Sequence, residues 1–308
     1  MRKNKVYIII LNYNGFSDTV NCIKSIQKSI YKEYQIILVD NNSDDNSLNE
    51  IIKYLDSSNL EYNFSDVFFA DNNKQTKKDI VIIKNNENLG YASGNNVGMR
   101  YALQYEDCDF LWILNNDNII EEKSLMKLVE NHDKNTIYGS KILKYKNPEL
   151  VDSIGGKLNY YLLTTSHNFS NTLNSELIKK VDSLDYIHGT SVFFHKDIIN
   201  SIGYFDEDYF MYYEDVEFSI RAKKKGCKLD VNQESVIYHN VDYEKYKNEN
   251  INLLKNVYSI INRLRLGKKY FKNKIIFIYT GILLSFFKRI ITFRFKEAYL
   301  IINYLFKI

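Results

Sequence analysis

Four short runs of β-branched, aliphatic and aromatic residues punctuate the first 120 positions: VYIIIL (6–11), IILV (36–39), IVII (80–83) and FLWIL (110–114). Each is almost wholly apolar rather than alternating, the pattern of strands buried on both faces of a parallel sheet. Amphipathic segments lie between them. One starts at Ser17, read as an N-cap, and carries Val20, Ile23, Ile26 and Ile30 on its inner side. Two more are expected over Leu48–Leu55 and Val97–Leu103. Strand–helix alternation of this kind predicts an α/β fold with a doubly wound, mostly parallel central sheet and helices on both faces.

The residues just past each strand are more informative than the strands themselves. The four runs end in NYNG, DNNSDD, KNNENLG and NNDN. In a parallel sheet all four carboxyl ends lie along one edge, and such folds bind ligands there. A single polar strand end is a turn, because Asn and Asp are ordinary turn residues. Four on the same edge predict a polar crevice.

Beyond these runs, SNLEYNFSDVFFADNNKQTKKD (58–79) reads as a polar surface insertion of unassigned role. A second organised block runs from about Asp185 through YIHGTSVFF, SIGYFDEDYFMYYEDVEFSIRAKKKG and SVIYHN. No internal repeat and no Pro/Gly/Ser linker separates the halves, so both are expected in one sheet. Phe218 and Ile220–Ala222 fit a helix ending near Gly226, with Glu214 and Asp215 in its first turn.

Composition is that of a globular chain, 308 residues with 45% hydrophobic and 26% charged. Three cysteines with no Cys-x-x-Cys pair argue against a disulfide framework or a structural zinc site and fit a reducing compartment. The six-residue apolar run near the start is not expected to be a secretory signal. The net charge of +3 conceals an asymmetry: residues 251–308 hold 12 Lys or Arg against the single acid Glu297, leaving the first 250 residues with 29 basic and 37 acidic side chains.

The candidate chemistry begins with Asp40 and Asp117. Each alone reads as a turn residue. Together at one sheet edge they could hold the base and the metal of a nucleotide, since hard cations take carboxylate and diphosphate oxygens together. No Gly-x-x-x-x-Gly-Lys-Ser/Thr cradle is present, and GYASGNNVG (90–98) is not a dinucleotide fingerprint. A nucleotide held without a glycine cradle implies a metal on the phosphates. Glu214 and Asp215 either complement a helix dipole or supply one carboxylate that takes a proton from an attacking hydroxyl. His239, in VIYHN, reads alone as a structural histidine, like His132, His167, His188 and His195.

These pieces, in this order over about residues 4–242, resemble the family 2 glycosyltransferases of the GT-A fold, and among them the rhamnosyltransferase-like branch. The resemblance implies a GT-A domain over 1–244, with a nucleotide-sugar-binding half at 1–118 and an acceptor-side half at 119–244. A basic, apolar C-terminal helical extension would occupy 245–308. Under it, Tyr13 packs on the donor's base beside Asn12 and Asn14, and Asp40 hydrogen-bonds the base. Asn88, Gly90 and Asn95 approach the nucleoside. NND stands at the Asp-x-Asp-type motif, with Asn116 near the ribose and Asp117 on a Mg²⁺ or Mn²⁺ ion that His239 also approaches. Asp215 is the general base, with Gly189, Thr190 and Glu214 on the acceptor side.

The implied reaction is an inverting transfer from a dTDP-, UDP- or GDP-sugar to a glycan or lipid-linked hydroxyl, in bacterial surface polysaccharide synthesis at the cytoplasmic face of the membrane. A sugar-nucleotide nucleotidyltransferase would need an Arg-containing, Gly-rich loop followed by Pro-Lys, and Pro148 is the only proline. A catalytically silent scaffold is the other alternative. For residues 251–308, packing on the domain and peripheral membrane contact both remain open; the 13 uncharged residues from Ile275 to Phe287 are too few to span a bilayer. Nucleic acid is not expected as a partner, given so much aliphatic surface.

Overall fold

The computed structural model describes residues 3–65, 78–176, 181, 183–240 and 249–305. Most of the polar insertion and the expected boundary at 244–245 lie outside the described residues. The chain starts with β1 (Val6–Asn12), α1 (Phe16–Gln27), β2 (Tyr34–Asp40), α2 (Ser47–Ser57), β3 (Tyr62–Phe64), β4 (Ile80–Lys84), α3 (Gly90–Ala102) and β5 (Phe110–Asn115). It goes on with β6 (Asn118–Ile120), α4 (Ser124–Glu130), β7 (Thr136–Lys144), β8 (Asn147–Ser153), β9 (Gly156–Leu158) and β10 (Thr165–His167). Next come β11 (Ser191–His195), α5 (Asp197–Ile202), α6 (Glu214–Lys224), β12 (Lys228–His239), α7 (Glu249–Tyr270), α8 (Ile275–Ile291) and α9 (Phe295–Leu305).

The sheet runs β3-β4-β2-β1-β5-β11-β7-β12-β6, with β8 paired to β7. The five strands from β3 to β5 are parallel; β11 enters antiparallel between β5 and β7, and β12 is again parallel to β7. Both halves therefore share one sheet, as the missing linker predicts. The apolar runs do fill both faces. Ile9, Val39, Leu111 and Ile113 pack toward α3, while Ile8, Ile10, Leu38 and Trp112 pack toward α1 and α2. Register brings Asn12 beside Asp40 and Asp40 beside Lys84, with Asn115 beside Leu11, so the polar strand ends do line one edge.

Three local expectations need correction. Helix α1 starts at Phe16 with Gly15 as its N-cap and no side-chain cap, so Ser17 lies inside it; Ile30 lies past its end and is exposed. The third helix, expected from Val97, starts at Gly90, so segment 90–96 forms the first turns of α3. Gly90, Gly94 and Gly98 are four apart and share one helix face. A Cβ at Gly94 would stand 2.6 Å from Leu11 and one at Gly98 2.6 Å from Ile9. The glycines let α3 lie directly on β1. The insertion also contributes β3 as an edge strand.

The C-terminal helices pack on residues of the 158–220 region. Val257, Ile260, Ile261 and Leu264 of α7 form a third core with Tyr209, Tyr213, Val216 and Ile220, joined by Ile278 and Ile282 of α8 and Ile301 of α9. A buried carboxylate ties α7 to α6. Glu217 is fully buried and accepts from Arg221 Nη2 at 2.8 Å, Lys269 Nζ at 2.8 Å and Tyr270 Oη at 2.6 Å. Removing one member of such a group leaves desolvated charge behind. Glu217→Ala is expected to lower unfolding free energy by about 3 kcal/mol, read as a shifted urea midpoint; an unchanged midpoint would show that α7 is not fastened here.

Candidate active site

The donor-side edge is built from amides. Asn12 donates from Nδ2 to Asp40 Oδ1 at 2.8 Å and accepts from Thr19 Oγ1 at 2.8 Å. Asp40 also accepts from Ser43 Oγ at 2.6 Å and from Ser43 N at 3.1 Å. Asn12 and Asp40 are both fully buried. Asp40 is thus the peg that sets the β1 and β2 ends, while its Oδ2, which accepts only from Ser43 N, keeps an acceptor position for the expected bond to the base. Tyr13, by contrast, is 43% exposed and free to offer its ring. Asn14 adopts the left-handed region (φ 52) and bonds the Asp44 backbone N at 3.0 Å and, through its amide, the Asp44 carboxylate.

Asn41, not anticipated from the sequence, organises the next strand end. It donates to Asn88 Oδ1 (2.9 Å) and Gly90 O (3.1 Å), and accepts from Asn85 Nδ2 (2.9 Å) and Leu89 N (3.1 Å). All the hydrogen-bonding capacity of one amide is used to hold the 85–90 loop. Gly90 has φ +78, and a Cβ there would lie 2.3 Å from Phe210 O, so only glycine lets α3 start against residue 210. Asn95 is buried in α3 and donates to Tyr91 O at 2.9 Å.

The NND shelf sits between the halves. Asn116 Nδ2 donates to Thr19 Oγ1 at 3.0 Å. Asp117 is partly open, 28% exposed at its side chain, with Oδ2 3.4 Å from His239 Nε2. Its Oδ1 is buried without a hydrogen-bond partner among the described residues. His239 stands opposite Asn118 in the β12–β6 register, and its Nδ1 is 2.8 Å from Asp152 Oδ2. Burial opposes the imidazolium, but Asp117 and Asp152 outweigh it and hold His239 up to about 10. Neighbouring His188 goes the other way, lowered to about 3 by burial and by His167 and His239.

These donors fit a divalent cation. A buried carboxylate oxygen with no partner lacks the compensation it would normally have. The Asp152 contact aims His239 Nε2 at Asp117, as outer-shell carboxylates orient ligating imidazoles, and a cation held there would take the place of the proton that Asp117 and Asp152 otherwise keep on the ring. Among the described residues no group of three or more His, Cys, Asp or Glu could hold an ion alone. A cation at Asp117 would thus need oxygens from a bound diphosphate or from water.

On the acceptor side Asp215 opens α6. Its Oδ2 accepts from Gly189 N at 2.8 Å and its Oδ1 from Val216 N at 2.8 Å. Burial raises Asp215 to about 6 against those two amides. Glu214 beside it is raised further, by burial and by Asp215, and its Oε2 has no partner among the described residues. Tyr91 donates to Gly189 O at 2.6 Å, and its hydroxyl is pushed up by burial and then by Glu214, Asp215 and Asp117. Thr190 O in turn accepts from Asn115 N (3.0 Å) and Asn118 Nδ2 (2.8 Å). Asp215 and the residues around Asp117 thereby meet on one backbone segment, 189–190. Tyr91, Asn41, Ser43, Asp152 and His188 escape sequence reasoning as site residues; Tyr91 lies in GYASGNNVG, Asn41 and Ser43 in DNNSDD and His188 in YIHGTSVFF, whereas Asp152 lies in none of these stretches.

With a mixed sheet, a polar carboxyl edge and paired acids across it, the chain has the GT-A fold. The family model described as Glycosyl transferase family 2 matches residues 7–196, and the chain belongs to that family. It is 26% identical over 246 residues to the low-salt glycan biosynthesis hexosyltransferase Agl10 of Haloferax volcanii, covering 78% of this chain and 69% of that protein. It is 27% identical over 248 residues to chondroitin synthase of Pasteurella multocida, covering 72% of this chain but 23% of that protein.

Among solved structures, GalNAc-T7 with UDP, GalNAc and Mn²⁺ superposes with a TM-score of 0.67 at 14% identity, over 90% of this chain and 50% of that one. The mannosyltransferase PcManGT from Pyrobaculum calidifontis, with GDP-Man and Mn²⁺, gives 0.58 at 11% identity, over 94% and 76%. At those identities the likeness is one of fold.

The raised Asp215 carries a stability consequence. Its native value near 6 lies above the ordinary 3.8, so the folded state keeps a proton that the unfolded chain releases. Stability from this group is fully present below 3.8 and is lost as pH rises toward 6. Asp215→Asn is expected to melt higher than the native chain above pH 6, by up to about 3 kcal/mol, with the gap closing toward pH 4. Melting curves across that range check it; a gap that widens on acidification would refute the assignment.

Proposed function

We propose that this chain is a metal-dependent, inverting glycosyltransferase that moves a hexosyl or deoxyhexosyl group from a dTDP-, UDP- or GDP-sugar to a hydroxyl of a glycan or lipid-linked acceptor. The observation that carries this reading is the Gly189–Thr190 segment, which bonds Asp215 on one side and Asn115 and Asn118, the residues around Asp117, on the other. The relatives support it, being a hexosyltransferase and a chondroitin synthase. The ligands seen with the fold neighbours support a nucleotide sugar and a divalent metal. A role in bacterial surface polysaccharide synthesis on the cytoplasmic side of the membrane, with a rhamnosyltransferase-like donor, belongs to the same proposal. So does its division into a donor half (1–118), an acceptor half (119–244) and a C-terminal extension (245–308).

In this reading Tyr13 packs on the base beside Asn12 and Asn14, Asn116 lies near the ribose, and the 88–90 turn held by Asn41 lines the nucleoside. Asp40 hydrogen-bonds the base from the strand end, and Asn95 approaches the nucleoside from α3. A divalent cation bound at Asp117, with His239 beside it, would neutralise the diphosphate as it departs. Asp215, fixed by the amides of Gly189 and Val216, accepts the proton of the acceptor hydroxyl as its oxygen attacks the anomeric carbon. The new C–O bond forms opposite the breaking bond to the diphosphate, so one displacement inverts the centre. A value near 6 leaves Asp215 ionised at neutral pH yet more basic than an ordinary carboxylate. Glu214, its carboxyl raised well above the ordinary range by burial and by Asp215, stands on the acceptor side.

Asp215→Asn is expected to lower kcat about a thousandfold with donor affinity by calorimetry unchanged. Loss of donor affinity in that variant would instead put Asp215 on the nucleotide side. Chelation should abolish donor turnover, and added Mn²⁺ or Mg²⁺ should restore it. A silent scaffold would show no turnover with any metal.

A further inference from the structure

We infer that the outer face of α8 and α9 is a docking surface for an anionic lipid bilayer. Helix α8 has two faces. Ile278 and Ile282 are buried against the third core, whereas Ile276 (75% exposed), Leu284 (65%) and Ile291 (75%) face out, with Phe277, Leu283 and Phe287 among them. The surface continues through Phe293 (80% exposed) and Phe295 to Tyr299 and Ile302 of α9. The 159–163 turn adds to it: Tyr161 meets Phe277 edge-on at 5.5 Å, and Leu162 lies against Gly281. Monomeric proteins in water rarely leave so many large apolar side chains together.

Charge decides what covers this face. Glu297 is the only acid from 251 onward, and it is buried, taken by Arg289 Nε at 2.8 Å and by Arg294. Lys272, Lys288, Arg294 and Lys296 are exposed at its margins. A second copy meeting it face to face would bring cations onto cations. An anionic bilayer takes both features, headgroups for the cations and the acyl boundary for Ile, Leu and Phe. No helix among the described residues is long and apolar enough to cross a membrane, so α8 and α9 would lie in the interfacial plane.

The face adjoins the acceptor side. From Tyr161 and Leu162 the chain runs to Leu163, whose carbonyl accepts from Tyr213 Oη at 2.7 Å, and Tyr213 precedes Glu214 and Asp215. Resting on the proposed transfer reaction, this position implies that a lipid-borne hydroxyl reaches Asp215 from the membrane side. The docking itself does not depend on that reaction.

The experiment is cosedimentation of the full chain with vesicles of phosphatidylglycerol and phosphatidylcholine, and of phosphatidylcholine alone. Binding to the anionic vesicles is expected, released by salt and weak on neutral ones. Lys288→Gln and Lys296→Gln should each weaken it about fivefold. Leu284→Glu combined with Phe287→Glu should abolish it, with the melting temperature unchanged because both side chains already face water. Failure to bind either vesicle overturns the inference. Self-association by light scattering, lost in the same double variant and unaccompanied by vesicle binding, would make the face a copy-to-copy interface instead. Since binding is read without donor or acceptor, its failure leaves the transferase reading standing, and a chain that binds but does not turn over donor would fail only the latter.

Discussion

The backbone of Gly189 and Thr190 is the constraint on which the rest of the site depends. Buried peptide groups must find partners, and here the partners come from both halves of the fold. Gly189 donates to Asp215 and accepts from Tyr91, while Thr190 O accepts from the Asn115 amide and the Asn118 side chain. The segment can satisfy these groups only if α6, α3 and the β5–β6 turn sit around it together. A Cβ at 189 would stand 3.3 Å from Asp215 Oδ2, tighter than such contacts usually are, so glycine keeps the carboxylate at hydrogen-bonding distance from the amide. Two acids about a hundred residues apart are thus held around one short stretch of chain.

The same crowding has an energetic cost. Glu214 and Asp215 are both raised by burial, Asp117 keeps an orphaned oxygen, and His239 is the cation that Asp117 and Asp152 share. Backbone strain adds to it: Tyr212 and Tyr213 both adopt the left-handed region, at φ 66 and 75, immediately before the acidic pair. Such conformations persist only where the surroundings over-determine them. Here the restraint comes from α7, whose Asn262 Nδ2 donates to Met211 O and Tyr212 O at 2.9 and 2.8 Å. The C-terminal helices therefore do more than cover the domain, because they brace the turn that aims Asp215.

The range of each interaction decides how much of this is legible in the sequence. The parallel strands, the shared polar edge and helix α6 with its leading acids are legible because each is written in a local pattern. The glycines of α3 are visible but ambiguous: spacing by four marks one helix face as well as a loop, and only the approach of Ile9 and Leu11 distinguishes the two. Asp152 is out of reach, since it lies in a polar strand and meets His239 across 87 positions. Asn41 is hidden among other asparagines of the same edge. The pairing of α7 with α6 through Glu217 is likewise invisible, because a Glu at that position reads first as a partner for Arg221 four residues on.

Asparagine at the edge has a physical logic that also sorts the two aspartates. An amide can donate and accept at once, so Asn12, Asn41, Asn85 and Asn118 knit strand ends together without adding charge beside a site meant for an anionic ligand. Against that neutral background each aspartate is defined by its donors. Asp40 receives hydrogen bonds from Asn12 and twice from Ser43 and is sealed from water. Asp117 has His239 near one oxygen, no partner among the described residues on the other, and an open side toward the crevice. Three accepted bonds make Asp40 a peg for the strand ends and leave one acceptor position on its Oδ2, whereas Asp117 keeps most of its capacity for a ligand. The number of hydrogen bonds each carboxylate already accepts is what separates them.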